Sequence, residues 1–274
     1  MKNLVIICFI FISFVLGEVH YVDINGSGDF TSIQEAIDFS SDGDVISVFE
    51  GDYQERIDFG SKNIIIRGAN KENTFISNFP NPNYGPIVNI VDALDAKLSN
   101  FTIRNGECEY NDYAGGVYTS NSNVILDSLI ITDNSCGSWS EGSGANSKAG
   151  GILTLGGQIT LSNSIIHGNY GYSNSGIKSD ASTINIVSCL FYDNSDLTIH
   201  IRHGISSIVQ STIIGNGSVD GRPLFIDFGW GDSQDIHIIK NSIIISTNNN
   251  NALGTFNWGE QGSINISFSN IIGE

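Results

Sequence analysis

Lys178, His200 and Arg202, with Asp227 beside them, are the residues of this chain best suited to chemistry. They fall in β-branched runs: Gly-Ile-Lys178, Leu197-Thr-Ile-His-Ile-Arg202 and Leu224-Phe-Ile-Asp-Phe228. Strand alternation turns Val117, Ile152, Ile177, Ile199, Ile201 and Ile226 to one side and Tyr118, Leu153, Lys178, His200, Arg202 and Asp227 to the other. A base, a cation and a carboxylate on neighbouring strands suit polysaccharide β-elimination. That reaction needs a group that neutralises a uronate and a base that takes its C5 proton. Lys178 or Arg202 fits the first role; His200, or a deprotonated Lys178, fits the second. His203 sits in the following turn. The plainer reading is that outward charges on strands are solvated, and that a His200–Asp227 surface pair is worth little.

A second group is aromatic. Tyr110, Tyr113, Trp139, Tyr170 and Tyr172 lie in three stretches of variable length, 106–113, 135–148 and 170–174. Rings with a polar handle suit sugar faces. They can equally pack on one another to order the loops.

These residues must be positioned by a repeat. Copies begin at Leu98, Leu126, Leu161, Ile186, Val209, Ile239 and Phe268, 23 to 35 residues apart. Each holds an apolar residue, a small or amide residue two places on, an Ile-rich pair and, in the earlier copies, an Asn: 105, 134, 169, 194 and 216. Such a period marks a solenoid. β-Branched runs bounded by Gly, Asn, Asp and Ser read as short strands. The expected fold is all-β: a right-handed, single-stranded parallel β-helix with about three strands of ~5 residues per coil. Insertions between copies should gather on one edge, where solenoids bind. The Asn residues are expected to stack at a turn, although Asn is also tolerated in left-handed turns. Gly115-Gly116 and Gly150-Gly151 suggest tight bends entering strands.

The rung Gly-Gly…Leu-x-Asn-x-x-Ile-x-x-Asn, with the opening Tyr21-Val-Asp-Ile-Asn-Gly-Ser-Gly-Asp-Phe-Thr-Ser-Ile-Gln-Glu-Ala-Ile-Asp38, resembles the pectin-lyase-like superfamily of right-handed parallel β-helix proteins. The likeness spans roughly residues 21 to 274. It implies the fold and leaves the activity open. The Gly-Tyr-Gln-Asp-Thr and Asp-Phe-Ile-Phe-Gly blocks of pectinesterases do not occur. Nor do the Asn-Thr-Asp and Asp-Asp blocks of β-helix glycoside hydrolases, or the Asp-His-rich calcium motif of pectate lyases.

Residues 1–17 read as a secretory signal peptide: Lys2, an apolar run from Leu4 to Leu16, and Val15-Leu-Gly17 for cleavage. Cys8 is apolar filler in that run. Residues 18–274 then form one β-helix domain, secreted or on the cell surface, monomeric and without a transmembrane segment. Ser32 and Glu35 make a capping-box pattern, and Ile33, Ala36 and Ile37 share one helical face, so a short helix should cap the first coil. The chain stops partway through a repeat at Ile271-Ile-Gly-Glu274, which predicts further coils or an anchor beyond it. Twenty-nine acids against twelve Lys and Arg give a net charge of −17. Such a surface repels nucleic acid and argues against a polyanionic partner, although excess acid also simply keeps a solenoid soluble. No cofactor is expected; Asp42-Gly-Asp44 and Asp232 to Asp235 offer Ca²⁺ only unspecific acid pairs, and no metal-site spacing is present.

Cys108 and Cys136 are 28 residues apart, the spacing of the repeats that hold them. They should stack at one corner of adjacent coils, ~4.8 Å apart, within disulfide reach. Cys189 aligns with Ser164 and Ser242 and is expected to remain a thiol. The favoured function is non-catalytic binding of a polysaccharide or cell-surface glycan along the loop-rich edge. The alternative is a lyase acting on a uronate polymer.

Overall fold

A computed structural model describes residues 17–78, 84–108, 114–137, 148–171, 174–215, 222–228, 235–247, 251–257 and 262–272. Among the described residues the strands stack in parallel into sheets of 14, 9 and 3 strands, with one helix. The repeat register is kept from coil to coil. Ile131 pairs with Ile103 on one side and Ile166 on the other. Leu126 pairs with Leu98 and Leu161, and Leu161 with Ile186. These inward side chains form one continuous core.

The corners show why the sequence turns where it does. Single left-handed residues bend the coils at their corners. Asn100, Ser128, Asn163, Ser188, Gln210 and Asn241 make one corner; Asn121, Ala181 and His203 share another; Asn105, Asp133 and Asp193 make a third. Short polar side chains dominate because they tolerate this conformation best. Asn105 therefore belongs with Asp133 and not, as expected, with Asn134. The two copies keep one offset of 28 residues throughout, so Gly106 takes the place of Asn134.

The following position carries the asparagine stack. Asn134 Nδ2 donates to Asn169 Oδ1, and Asn169 Nδ2 to Asn194 Oδ1, each at 3.0 Å. The three amides also donate to the buried carbonyls of Ile103, Ile131 and Ile166. A parallel serine stack runs inside another corner: Cys189 N–H donates to Ser211 Oγ, Ser211 N–H to Ser242 Oγ and Ser242 N–H to Ser269 Oγ, each at 3.2 Å. Cys189 occupies a serine place, its thiol facing the Val187 carbonyl. It is free and buried, and burial pushes its thiol up to about 11.

Gly116, Gly151 and Gly176 have ordinary φ, so the expected tight bend is not their reason. A Cβ there would fall on the carbonyl oxygen of Gly151, Gly176 and Thr198 respectively. The coils approach too closely for any side chain.

Helix Ile33–Phe39 buries Ile33, Ala36 and Ile37 over the first coils. Ser32 Oγ accepts the Glu35 N–H, as a cap should. The carboxylate of the cap is not that of Glu35, however. Glu55 accepts the N–H groups of Ile33 and Gln34 at 2.8 and 3.0 Å. At the other end Lys62 Nζ donates to the carbonyls of Ile37, Asp38 and Ser40. An anion at the N-terminus and a cation at the C-terminus both oppose the helix dipole.

Candidate functional site

The candidate residues stand on strands Val117–Asp127, Ile152–Ser162, Asn174–Val187, Leu197–Val209 and Leu224–Phe228. Alternation holds: Val117, Ile152, Ile177, Ile199, Ile201 and Ile226 are all in the core. The other side carries two columns. One runs Tyr118, Leu153, Lys178, His200, Phe225. The second runs Ser120, Leu155, Asp180, Arg202, Asp227. Asp227 is thus the rung partner of Arg202, not of His200.

The outer side is not open water. Lys178 is 0% exposed and His200 9%. Leu153 is fully buried as well, in a second apolar cluster with Ala114, Ala149, Tyr118 and Leu155 outside the coil. The expectation that Lys178 and His200 project into solvent is therefore corrected. The column is mostly apolar and aromatic, and such a face is covered rather than hydrated. Phe225 packs edge-on against His200 with ring centroids 5.3 Å apart.

Burial sets the protonation states. The Lys178 amine falls to about 8, chiefly through desolvation; Asp180 and Asp227 oppose this and Arg202 adds to it. His200 falls to about 3 through desolvation, assisted by the nearby Lys178 and Arg202. His200 is therefore neutral at physiological pH. Its Nδ1 lies 2.7 Å from Asn174 Oδ1.

Arg202 joins two carboxylates across three coils: its guanidinium is 3.6 Å from Asp180 and 3.7 Å from Asp227. His203 Nδ1 meets Asp180 at 2.9 Å. Sequence reasoning missed Asp180 and Asn174. Asp180 was findable, since it lies two residues beyond Lys178 on the same side of the strand. Asn174 carried no signal, because a register shift separates it from Ile177.

Four polar atoms in this cluster are buried without a hydrogen-bond partner: Lys178 Nζ, His200 Nε2, Arg202 Nε and Asp227 Oδ1. Buried polar groups are normally satisfied by protein, ordered water or a ligand, so this group of four marks a place for a small polar partner. Among the described residues no group of three or more His, Cys, Asp or Glu is placed to hold a metal ion.

Of the aromatic candidates, Tyr118 is half-buried against the second apolar cluster. Tyr170 is 55% exposed in strand Tyr170–Gly171. Tyr110, Tyr113, Trp139 and Tyr172 lie outside the described residues. The short sheet that holds Tyr170 also pairs Cys108 with Cys136 in register. The two form a disulfide, Cα atoms 4.7 Å apart, as their spacing predicts.

No protein-family model matches this sequence. No curated protein matches it either. Solved structures do. A pectin methylesterase from carrot is 16% identical, with a TM-score of 0.54, over 93% of this chain and 85% of its own. The pectin methylesterase PemA from Erwinia chrysanthemi is 13% identical, with a TM-score of 0.55, over 92% and 90%. This is the pectin-lyase-like, right-handed parallel β-helix fold. Pectate lyase Pel9A shares it at 16% identity and a TM-score of 0.54, over 94% and 78%. At such identities a pectin-lyase-like likeness carries the fold alone. No described helix is long and apolar enough to cross a membrane.

Proposed function

We propose that this is a secreted or cell-surface glycan-binding β-helix, whose ligand lies on the outer face of strands Asn174–Val187, Leu197–Val209 and Leu224–Phe228. The carrying observation is the group of four buried, unpartnered polar atoms on three successive coils, behind the Arg202 side chain, which is 34% exposed. Tyr170 is exposed and offers a ring with a polar handle, which suits a sugar face. The fold neighbours named pectin methylesterase and pectate lyase support a polysaccharide as the ligand class.

Catalysis by β-elimination is the second reading, and Lys178 is what favours it. An amine near 8 has a substantial neutral fraction in mildly alkaline solution and can act as a base. His200 fits the role less well than expected, because a group at about 3 is too weak a base for a carbon acid. Arg202 is already occupied by two carboxylates, which leaves little to neutralise a uronate. Binding is therefore placed first. Affinity electrophoresis through gels loaded with pectate, alginate or neutral glycans tests it, with retardation in at least one gel expected. Release of unsaturated uronate, read by ultraviolet absorbance, would instead establish the lyase.

A further inference from the structure

The donors and acceptors of the cluster narrow the ligand. Asn174 Nδ2 donates to the Lys148 carbonyl at 3.0 Å. That bond fixes the amide orientation, so the atom facing His200 is the acceptor Oδ1. His200 must then carry its proton on Nδ1 to bond at 2.7 Å, which leaves Nε2 a bare lone pair. The set without a hydrogen bond is thus two donors, Lys178 Nζ and Arg202 Nε, the latter in an ion pair 3.7 Å from Asp227, with two acceptors, His200 Nε2 and Asp227 Oδ1.

The charges balance in the same way. Lys178 and Arg202 face Asp180 and Asp227, two against two. A carboxylate entering here would accept from Lys178 but meet the lone pair of His200 and the charge of Asp227. A hydroxyl both donates and accepts, so hydroxyls match this mixed set where a carboxylate does not. Arg202 and Asp227, with side chains 34% and 15% exposed, are the solvent side of the cluster. Lys178 and His200 lie behind them.

Building on the glycan-binding reading, we infer that the unit seated at Lys178, His200, Arg202 and Asp227 is a neutral, hydroxyl-rich sugar and not a uronate. Two measurements on the intact protein test this. The first follows the imidazole ¹⁵N resonances of His200 during titration with cello-, manno- and galacto-oligosaccharides, and in parallel with oligogalacturonate and oligomannuronate. The second compares affinities of the wild type, Asp227→Asn and Lys178→Met, each checked for native circular dichroism.

The expected result is that a neutral oligosaccharide shifts the Nε2 resonance, and that each variant weakens its binding by about tenfold or more. Preferential binding of a uronate oligomer with the same Nε2 shift would overturn the neutral-sugar inference and leave the glycan-binding reading standing. Neutral sugar binding without change at Nε2 or in the variants would also overturn it, since the sugar would then bind elsewhere. No response to any of these glycans would overturn both, because solvent alone would complete the cluster.

Discussion

Glu55 lies 23 residues beyond Ser32, yet its carboxylate accepts the Ser32 hydroxyl at 2.7 Å and closes the N-terminus of the helix that covers the first coils. The cap is therefore a tertiary contact between helix and coil. Glu55→Ala should lower the chemical-denaturation midpoint by the equivalent of about 1–3 kcal/mol, because the Ile33 and Gln34 N–H groups lose a charged acceptor. Glu35→Ala should change it by less than about 0.5 kcal/mol. Equal effects from the two variants would contradict this assignment.

Asn169 should be far more costly to replace than Asn105. Its amide serves Ile131, His167 and Asn194, and its Oδ1 accepts from Asn134. Asn169→Leu leaves several of these groups buried and unpaired, at about 1–3 kcal/mol each. Asn105 is exposed and needs only a left-handed backbone. Thermal unfolding of the two variants, side by side, gives the comparison.

The Cys108–Cys136 bond predicts one free thiol, Cys189, when the chain without residues 1–17 is titrated denatured and unreduced. Three thiols would refute it. Closing a loop of 28 residues is worth roughly 3–4 kcal/mol in the chain-entropy model. Cys108→Ser with Cys136→Ser should lower the unfolding midpoint accordingly.

Stability should fall in acid through the buried histidines. His200 is pushed down to about 3, and His237, bonded to Ser206 inside the coil, is also lowered by burial. Unfolded histidine titrates near ~6.5. Below that value the unfolded chain binds protons the folded one refuses, so stability is full above it and declines as pH falls toward about 3. Lys178 acts at the other end. Its folded value of about 8 lies below the unfolded 10.5, so stability rises with pH across that window. Denaturation midpoints followed across pH should show both slopes. His237→Leu should flatten the acid one and Lys178→Met the alkaline one.

The coil, its inward residues and the disulfide were legible because each depends on one period, and a period survives in sequence. The misplacement of Asn105 was less visible, because it stands one place before the stacked column, at a left-handed corner that suits Asn equally well, and Gly106 fills the column place. The covering of Lys178 and His200 was not read at all. Alternation tells which side of a strand a residue takes, but not what lies over that side. Leu153 and Phe225 in the same column were the available warning. Asp180 could have been found two places beyond Lys178, but its pairing with Arg202, 22 residues away, comes from the register alone.

The columns through Asn134, Asn169 and Asn194, and through Gly116, Gly151 and Gly176, are self-matching. Within these columns a coil offers its upper neighbour the same surface that it accepts from the lower one. A stretch of one period, such as residues 149–173, can therefore be duplicated or deleted in the gene without creating a new kind of junction. Along this stretch length is adjustable in principle, and the spacing between features on either side of it would change in steps of one coil while each feature kept its local surroundings.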